Sequence, residues 1–264
     1  MTVACPARNA PQAQAFTLIE LLVVIAIIAV LMGILMPALS AVKRQAQGAV
    51  CQAQLKQWYL CYNLYTDDHE GRFPPFFGGT VQTTFMESLR KYYNDINTMR
   101  TCPLASKVST DVPTGQQPES YFGKTFSAWQ IDPSAGWLDD QDWGIGSYGE
   151  NSWIRGPASR TDHQNWASVF KIKHPDEVPL LGDARWNNAW PDQGAGPTLS
   201  PEETVEYSIT NWSSMSCYAM RRHKDGINVA LADGAAKQVS AEELWQLKWH
   251  RTFEKQENVA LRGL

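Results

Sequence analysis

Ala15-Phe16-Thr17-Leu18-Ile19-Glu20 runs directly into Leu21–Val42, LLVVIAIIAVLMGILMPALSAV, and the reading of this stretch decides the fold. At ~1.5 Å of rise per helical residue, the charge-free run is long enough to cross a hydrocarbon core about 30 Å thick. A secretory signal peptide has an apolar region of roughly 7–15 residues ending in a small-x-small site, and this run is longer. Arg8 precedes it and Lys43 and Arg44 follow it, so the basic flanks leave its orientation open. Glu20 stands at the border of a segment in which a charge costs several kcal/mol. The residues alone leave two readings of it: a hydrated interfacial carboxylate, or a carboxylate held by a partner.

Outward from the span, Ala38–Tyr65 is rich in Ala, Gln, Leu and Lys, so the helix is expected to continue to about Tyr65, with bends at Pro37 and Gly48. The more polar Ala46–Gln57 reads as a neck. The following WYLCYNLY is apolar nearly all round, as a helix wrapped by its own domain would be. Gly71 and the pair Pro74-Pro75 end it. A short helix is predicted around Thr84–Tyr93, and beyond it short apolar runs between Gly, Pro, Asp and Ser predict strands and long loops. Asp233-Gly234 between Ile227–Ala232 and Ala235–Val239 predicts a hairpin with a type I′ turn. Ser240-Ala-Glu-Glu243 reads as a capping box opening a C-terminal helix through about Trp249. The fold class is therefore α+β: a long N-terminal transmembrane helix continuing into a head with a small antiparallel sheet, long loops and a short C-terminal helix.

A net charge of −4 gives no basic excess for a nucleic-acid partner. Phosphate-binding glycine loops, nucleophile elbows and HExxH are absent from the sequence, so no enzyme and no cofactor is expected. His223 and Asp233 invite a catalytic or metal reading, but a metal needs three or four converging ligands, and His69, His163, His174 and His250 are all remote in sequence. Asp233 already has a turn role beside Gly234, so His223, Asp233 and Gly234 are read as structural and no metal site is expected. Acidic runs at Asp67, Asp68 and Glu70, and at Asp139, Asp140 and Asp142, could bind calcium; without an EF-hand pattern they read first as solvated loop charge. With Cys5 in the segment before Phe16, four cysteines remain: Cys51, Cys61, Cys102 and Cys217. Cys51 and Cys61 lie ~15 Å apart along one helix and cannot pair with each other, which leaves two of three connectivities. Zinc is not expected, since no CxxC spacing is present.

AFTLIELLVVIAIIAVLMGILMPAL resembles the N-terminal signature of prepilins and pseudopilins of type IV pili and type II secretion systems. The resemblance implies that prepilin peptidase cuts between Ala15 and Phe16, with Phe16 becoming an N-methylated terminus. Glu20 then falls at the fifth mature position, as an assembly residue pairing with a neighbouring subunit's amine, and Pro37 at the helix-kinking twenty-second. Ala15 stands where the family usually has Gly. RRHKDGINVALADGAAKQV resembles the C-terminal H-x9-DG segment that accompanies such leaders in paralogous sets from planctomycetes and verrucomicrobia, here 223–234. CQAQLKQWYLCYNLYTDDHEGRFPP, Thr101-Cys102-Pro103, SYGENSW, LLGDARW and LWQLKWH also have counterparts there. From the resemblance of Cys51 and Cys102 comes a preferred Cys51–Cys102 disulfide, with Cys61–Cys217 second.

The resemblance implies residues 1–15 as a cleaved leader, 16–66 as the pilin-like helix with its transmembrane part at about 21–42, and 67–264 as an exported head. The expected partners are prepilin peptidase, other pilin-like subunits with their assembly machinery, and the inner membrane, which a single-pass precursor leaves to enter a filament. A different reading keeps the helix as a permanent anchor and has a head rich in tryptophan, 11 in the chain, bind polysaccharide or another surface partner. A third makes His223 and Asp233 the site of a hydrolase.

Overall fold

The computed structural model describes residues 18–75, 77–78, 81–82, 84–94, 96–108, 120–131, 144–156, 163–192, 215–218, 220–257 and 259. The chain divides into two compact units, Met1–Lys43 and Arg44–Leu264. The proposed cleavage residues Ala15 and Phe16, the acidic run Asp139–Asp142 and three tryptophans (Trp137, Trp143 and Trp212) lie outside the described residues.

Helix α1 spans Leu18–Asp68, with Glu20 in its first turn, and its helical assignment is unbroken at Pro37 and Gly48. Every described side chain from Leu18 to Ala46 is exposed. From Cys51 onward a buried face appears at Cys51, Leu55, Trp58, Cys61, Tyr62 and Thr66, the three- and four-residue spacing of one helix face on a core. This corrects the expected neck: Cys51 and Leu55 are fully buried in the head, and Asn228 Nδ2 donates to Gly48 O at 3.3 Å. It also corrects the wrapped reading of WYLCYNLY, because Leu60 and Leu64 are more than half exposed on the opposite face.

After α1, β1 (Phe77–Gly78) and β2 (Val81–Gln82) form a minimal hairpin. Helix α2 (Phe85–Ser88) starts where Thr84 Oγ1 accepts from Glu87 N at 3.2 Å, and a 3-10 turn at Arg90–Tyr92 completes the short helical segment predicted there. Helix α3 (Ile96–Met99) follows. Strands β3 (Ser120–Tyr121), β4 (Trp129–Ile131) and β5 (Gly144–Gly146) make a three-stranded antiparallel sheet. The main sheet contains β6 (Tyr148–Asn151), β7 (Pro179–Asp183), β8 (Asn188–Ala189), β9 (Gly226–Leu231) and β10 (Ala236–Ser240), in the order β10-β9-β7-β6-β8. Only the β6–β8 pairing within it is parallel. All residues of β6, β7 and β9 are buried, so these strands are covered on both faces.

The β9–β10 hairpin exists, but its turn differs from the expected one. Leu231 and Ala235 are the closing pair, Gly234 N donates to Leu231 O at 3.0 Å, and Gly234 alone has positive φ, at 88°. A type I′ turn needs positive φ at both central residues, whereas a three-residue loop needs a left-handed residue only at its end. Asp233 keeps negative φ and its Oδ1 accepts from Ala235 N at 2.8 Å. A Cβ on Gly234 would lie 2.7 Å from the Tyr59 ring of α1, so the position is closed to side chains by space as well as by φ.

The capping box is reciprocal: Ser240 N donates to Glu243 Oε2 at 2.8 Å and Glu243 N to Ser240 Oγ at 3.2 Å. The helix it opens is a single 3-10 turn, Glu243–Gln246, and not a helix to Trp249. Leu247 turns extended, Lys248 N bonds Glu177 O, and Trp249 Nε1 donates back to Leu244 O at 2.8 Å. Burial of Leu244, Trp245, Leu247 and Trp249 outweighs local helix propensity here. All eight described tryptophans are at most 8% exposed. They are core residues, which removes them as stacking surface for a sugar.

Candidate functional site

Two sites are defined. The first is the N-terminal half of α1, whose apolar side chains no part of the described chain covers. The second is a buried cluster in the head that local spacing in the sequence does not reveal.

The cluster gathers Cys51, Cys102, Asp183 and His223, with one ligand-type atom from each lying within 4.8 Å of all the others. Cys51 comes from α1, where burial of one face directs it at the sheet. Cys102 follows α3 in Thr101-Cys102-Pro103, and its backbone N–H donates to Ser147 Oγ at 2.5 Å. Asp183 ends β7. His223 sits in the tight turn ahead of β9: its N–H donates to Gly226 O at 2.9 Å, with Lys224 at φ 60°. A Cβ on Gly226 would stand 1.8 Å from Val239 O, so only glycine lets β10 close over this turn.

Within the cluster, Cys51 Sγ is 3.6 Å from both Asp183 carboxylate oxygens, Cys102 Sγ is 3.3 Å from His223 Nε2, and His223 Nε2 is 3.1 Å from Asp183 Oδ2. Asp183 is further held by Arg222 Nη1 at 2.9 Å and by the Asn228 N–H at 2.9 Å. Arg222, itself buried, spends its remaining donors on the carbonyls of Thr125, Ser147, Lys124 and Ala184. The charge states follow from these contacts. Burial pushes the Asp183 carboxyl upward, but Arg222, His223 and the Asn228 N–H together hold it below its ordinary value. Burial opposes the His223 charge, yet the hydrogen bonds and charges of Asp183 and Cys102 raise its pKa to about 9. The hydrogen bond from Cys51 is the largest effect lowering the Cys102 thiol to about 7, while burial and the Cys102 neighbour drive Cys51 well up. A thiolate beside an imidazolium is the chemistry of a cysteine nucleophile. Here Cys51, Cys102 and Asp183 are fully buried and His223 is 6% exposed, so no substrate reaches it.

His223 and Asp233 do not meet. They flank opposite ends of β9, whose five steps of ~3.3 Å separate its ends by roughly 17 Å. The partner of His223 is Asp183, 40 residues earlier, which removes the His223–Asp233 hydrolase pair. All four described cysteines are buried thiols; Cys61 Sγ lies 3.5 Å from Tyr92 O, and Cys217 sits in a 3-10 turn at Met215–Cys217. Of the described acidic run, Asp68 Oδ2 accepts from Lys91 Nζ at 3.2 Å and Tyr92 OH at 2.9 Å, and Glu70 pairs with Arg72 at 3.2 Å. A second buried ionic group also escapes local reading: Glu150 of β6 accepts from Tyr62 OH of α1 and from Arg155 Nε, both ends of the ion pair being 1% exposed.

Among the described residues, one helix, α1, is long and apolar enough by length and composition to cross a membrane, and it continues into an α+β head. Residues 11–36 match the family of the prokaryotic N-terminal methylation motif, the prepilin-type signature. The match takes in Ala15, Phe16, Glu20 and most of the apolar run, and it supports a prepilin-like precursor. No curated protein and no solved structure matches the chain.

Proposed function

We propose that this chain is a pseudopilin or pilin-like structural subunit of a type II secretion or type IV pilus-like filament, without catalysis of its own. The observation that carries the reading is α1 itself. In and beyond a prepilin-type motif, every described side chain from Leu18 to Ala46 is exposed, and Glu20 is the single charged residue between Leu18 and Val42. Such a surface is stable first in lipid and then against copies of the same helix, since burying apolar area contributes ~25 cal/mol per Å². Prepilin peptidase exposes Phe16, its amine pairs with Glu20 of a neighbour, and helices pack into a filament core. The outer face of α1 in the head, with Val50, Leu60 and Leu64 exposed at helical spacing, supports the same packing. The anchor-only reading with a tryptophan-rich binding head loses its main surface to the core.

Mass spectrometry of the protein extracted from the membranes and surface fraction of its native host tests this. The expected N-terminus is methylated Phe16, and Glu20→Ala is expected to keep cleavage and membrane insertion while losing incorporation into filaments. A mature chain that retains residues 1–15 overturns the proposal.

A further inference from the structure

We propose that Cys51, Cys102, Asp183 and His223 form a four-ligand zinc site that ties α1 to the main sheet of the head. The donor set is two thiolates, one imidazole and one carboxylate, a soft-to-borderline combination that suits zinc held tetrahedrally in a closed structural site. Bonds of ~2.0–2.3 Å at tetrahedral angles put ligand atoms roughly 3.3–3.8 Å from one another. The sulfur–oxygen, sulfur–nitrogen and nitrogen–oxygen separations here are 3.6, 3.3 and 3.1 Å. Three of the six ligand–ligand separations are therefore close to those of a tetrahedral site, and all four ligand atoms lie within 4.8 Å of one another.

Hydrogen bonding alone leaves this arrangement poorly satisfied. His223 Nε2 carries one proton at most, yet it faces both Cys102 Sγ and Asp183 Oδ2. Cys51 likewise has one S–H for Asp183 and Cys102. A dication at the centre satisfies all four at once. It also balances charge: two thiolates and one carboxylate carry three negative charges, and the ion with the buried Arg222 guanidinium carries three positive ones. The outer contacts are those that steady a metal ligand, since Arg222 and the Asn228 N–H fix the Asp183 carboxylate and the Ser147 hydroxyl fixes the Cys102 backbone. A Cys51–Cys102 disulfide, the rival outcome in an exported head, would use neither the imidazole nor the carboxylate.

The test uses the full-length chain extracted in mild detergent without chelator. Elemental analysis is expected to find one zinc per chain, and intact mass under native conditions the addition of one zinc ion. After chelation, cobalt should restore folding and give thiolate-to-cobalt charge transfer with intense visible d–d bands. Cys61→Ser should leave that spectrum unchanged, because Cys61 lies against Tyr92 and outside the four. Cys102→Ser should weaken cobalt by more than the roughly 10–100-fold typical of outer-contact changes. If Cys102→Ser fails to fold, the wild-type and Cys61→Ser spectra still decide. Absence of stoichiometric zinc together with absence of cobalt–thiolate bands in folded protein overturns the proposal. So does a mass short by two hydrogens with Cys51 and Cys102 in one disulfide-linked peptide, or a cobalt spectrum that Cys61→Ser abolishes.

Discussion

The two halves of α1 share one helix and differ in nearly everything else. From Leu18 to Ala46 no described side chain is buried, and the apolar residues point in every direction. From Cys51 to Thr66 burial is confined to one stripe, with Trp58 and Leu55 fully covered while Leu60 and Leu64 face outward. Both halves are helical, so the difference lies in who supplies the cover. The second half finds it in β7, β9 and the loop at Cys102. The first finds none within the described chain; on the proposed function it takes it from lipid or from other subunits.

The sharpest way to break this comparison is to separate the halves. A chain starting at Arg44, the first residue of the second compact unit, is expected to stay soluble and monomeric without detergent, judged by size-exclusion chromatography and thermal melting. Aggregation that only detergent reverses would mean that residues before Arg44 belong to the core of the head. Next in size is a contrast two residues wide. Trp58→Ala removes a fully buried ring that stacks edge-on with Phe85 and Tyr93, and it should destabilise the head by ~3–5 kcal/mol. Leu60→Ala, on the outer face, should change urea-unfolding stability by less than ~0.5 kcal/mol and instead reduce assembly. Equal losses at both positions would show that the stripe is not one-sided.

The smallest effect is a pH dependence of the head alone. Burial lowers the His250 pKa to about 4, against its ordinary value near 6.5. The folded head therefore favours the neutral ring. Its contribution is present in full above pH ~6.5 and is lost as pH falls toward 4. Urea unfolding between pH 7 and 4 should show a shallower loss in His250→Gln than in wild type, and parallel curves would sink the assignment.

What could be read in the sequence was local. The apolar run announces itself by length, Thr84 and Ser240 by cap chemistry, and the β9–β10 hairpin by Asp233-Gly234. The errors come where packing decides between local options: the capped helix at Ser240 stops after one 3-10 turn because Leu247 and Trp249 are drawn into the core. The cluster was illegible for a stricter reason. Its ligands lie at 51, 102, 183 and 223, and no spacing rule links a cysteine on a helix to an aspartate 132 residues later. His223 and Asp233 are near in sequence, but the strand between them holds them apart. The one available signal is that Cys51, Cys102, Asp183 and His223 each sit in a separate stretch with a family-like counterpart, and only the fold says that these stretches converge.

The distance in sequence between Cys51 and Asp183 is also a delay. At roughly 5–20 residues per second, synthesis of the intervening 132 residues takes roughly 7–26 s. For that interval the part of the α1 face bearing Cys51 exists before the strands that will cover it. The newborn chain thus carries two unfilled apolar surfaces on one helix: one to be covered within the chain once β7 and β9 have been made, the other, on the proposed function, only when the finished subunit meets lipid or its neighbours.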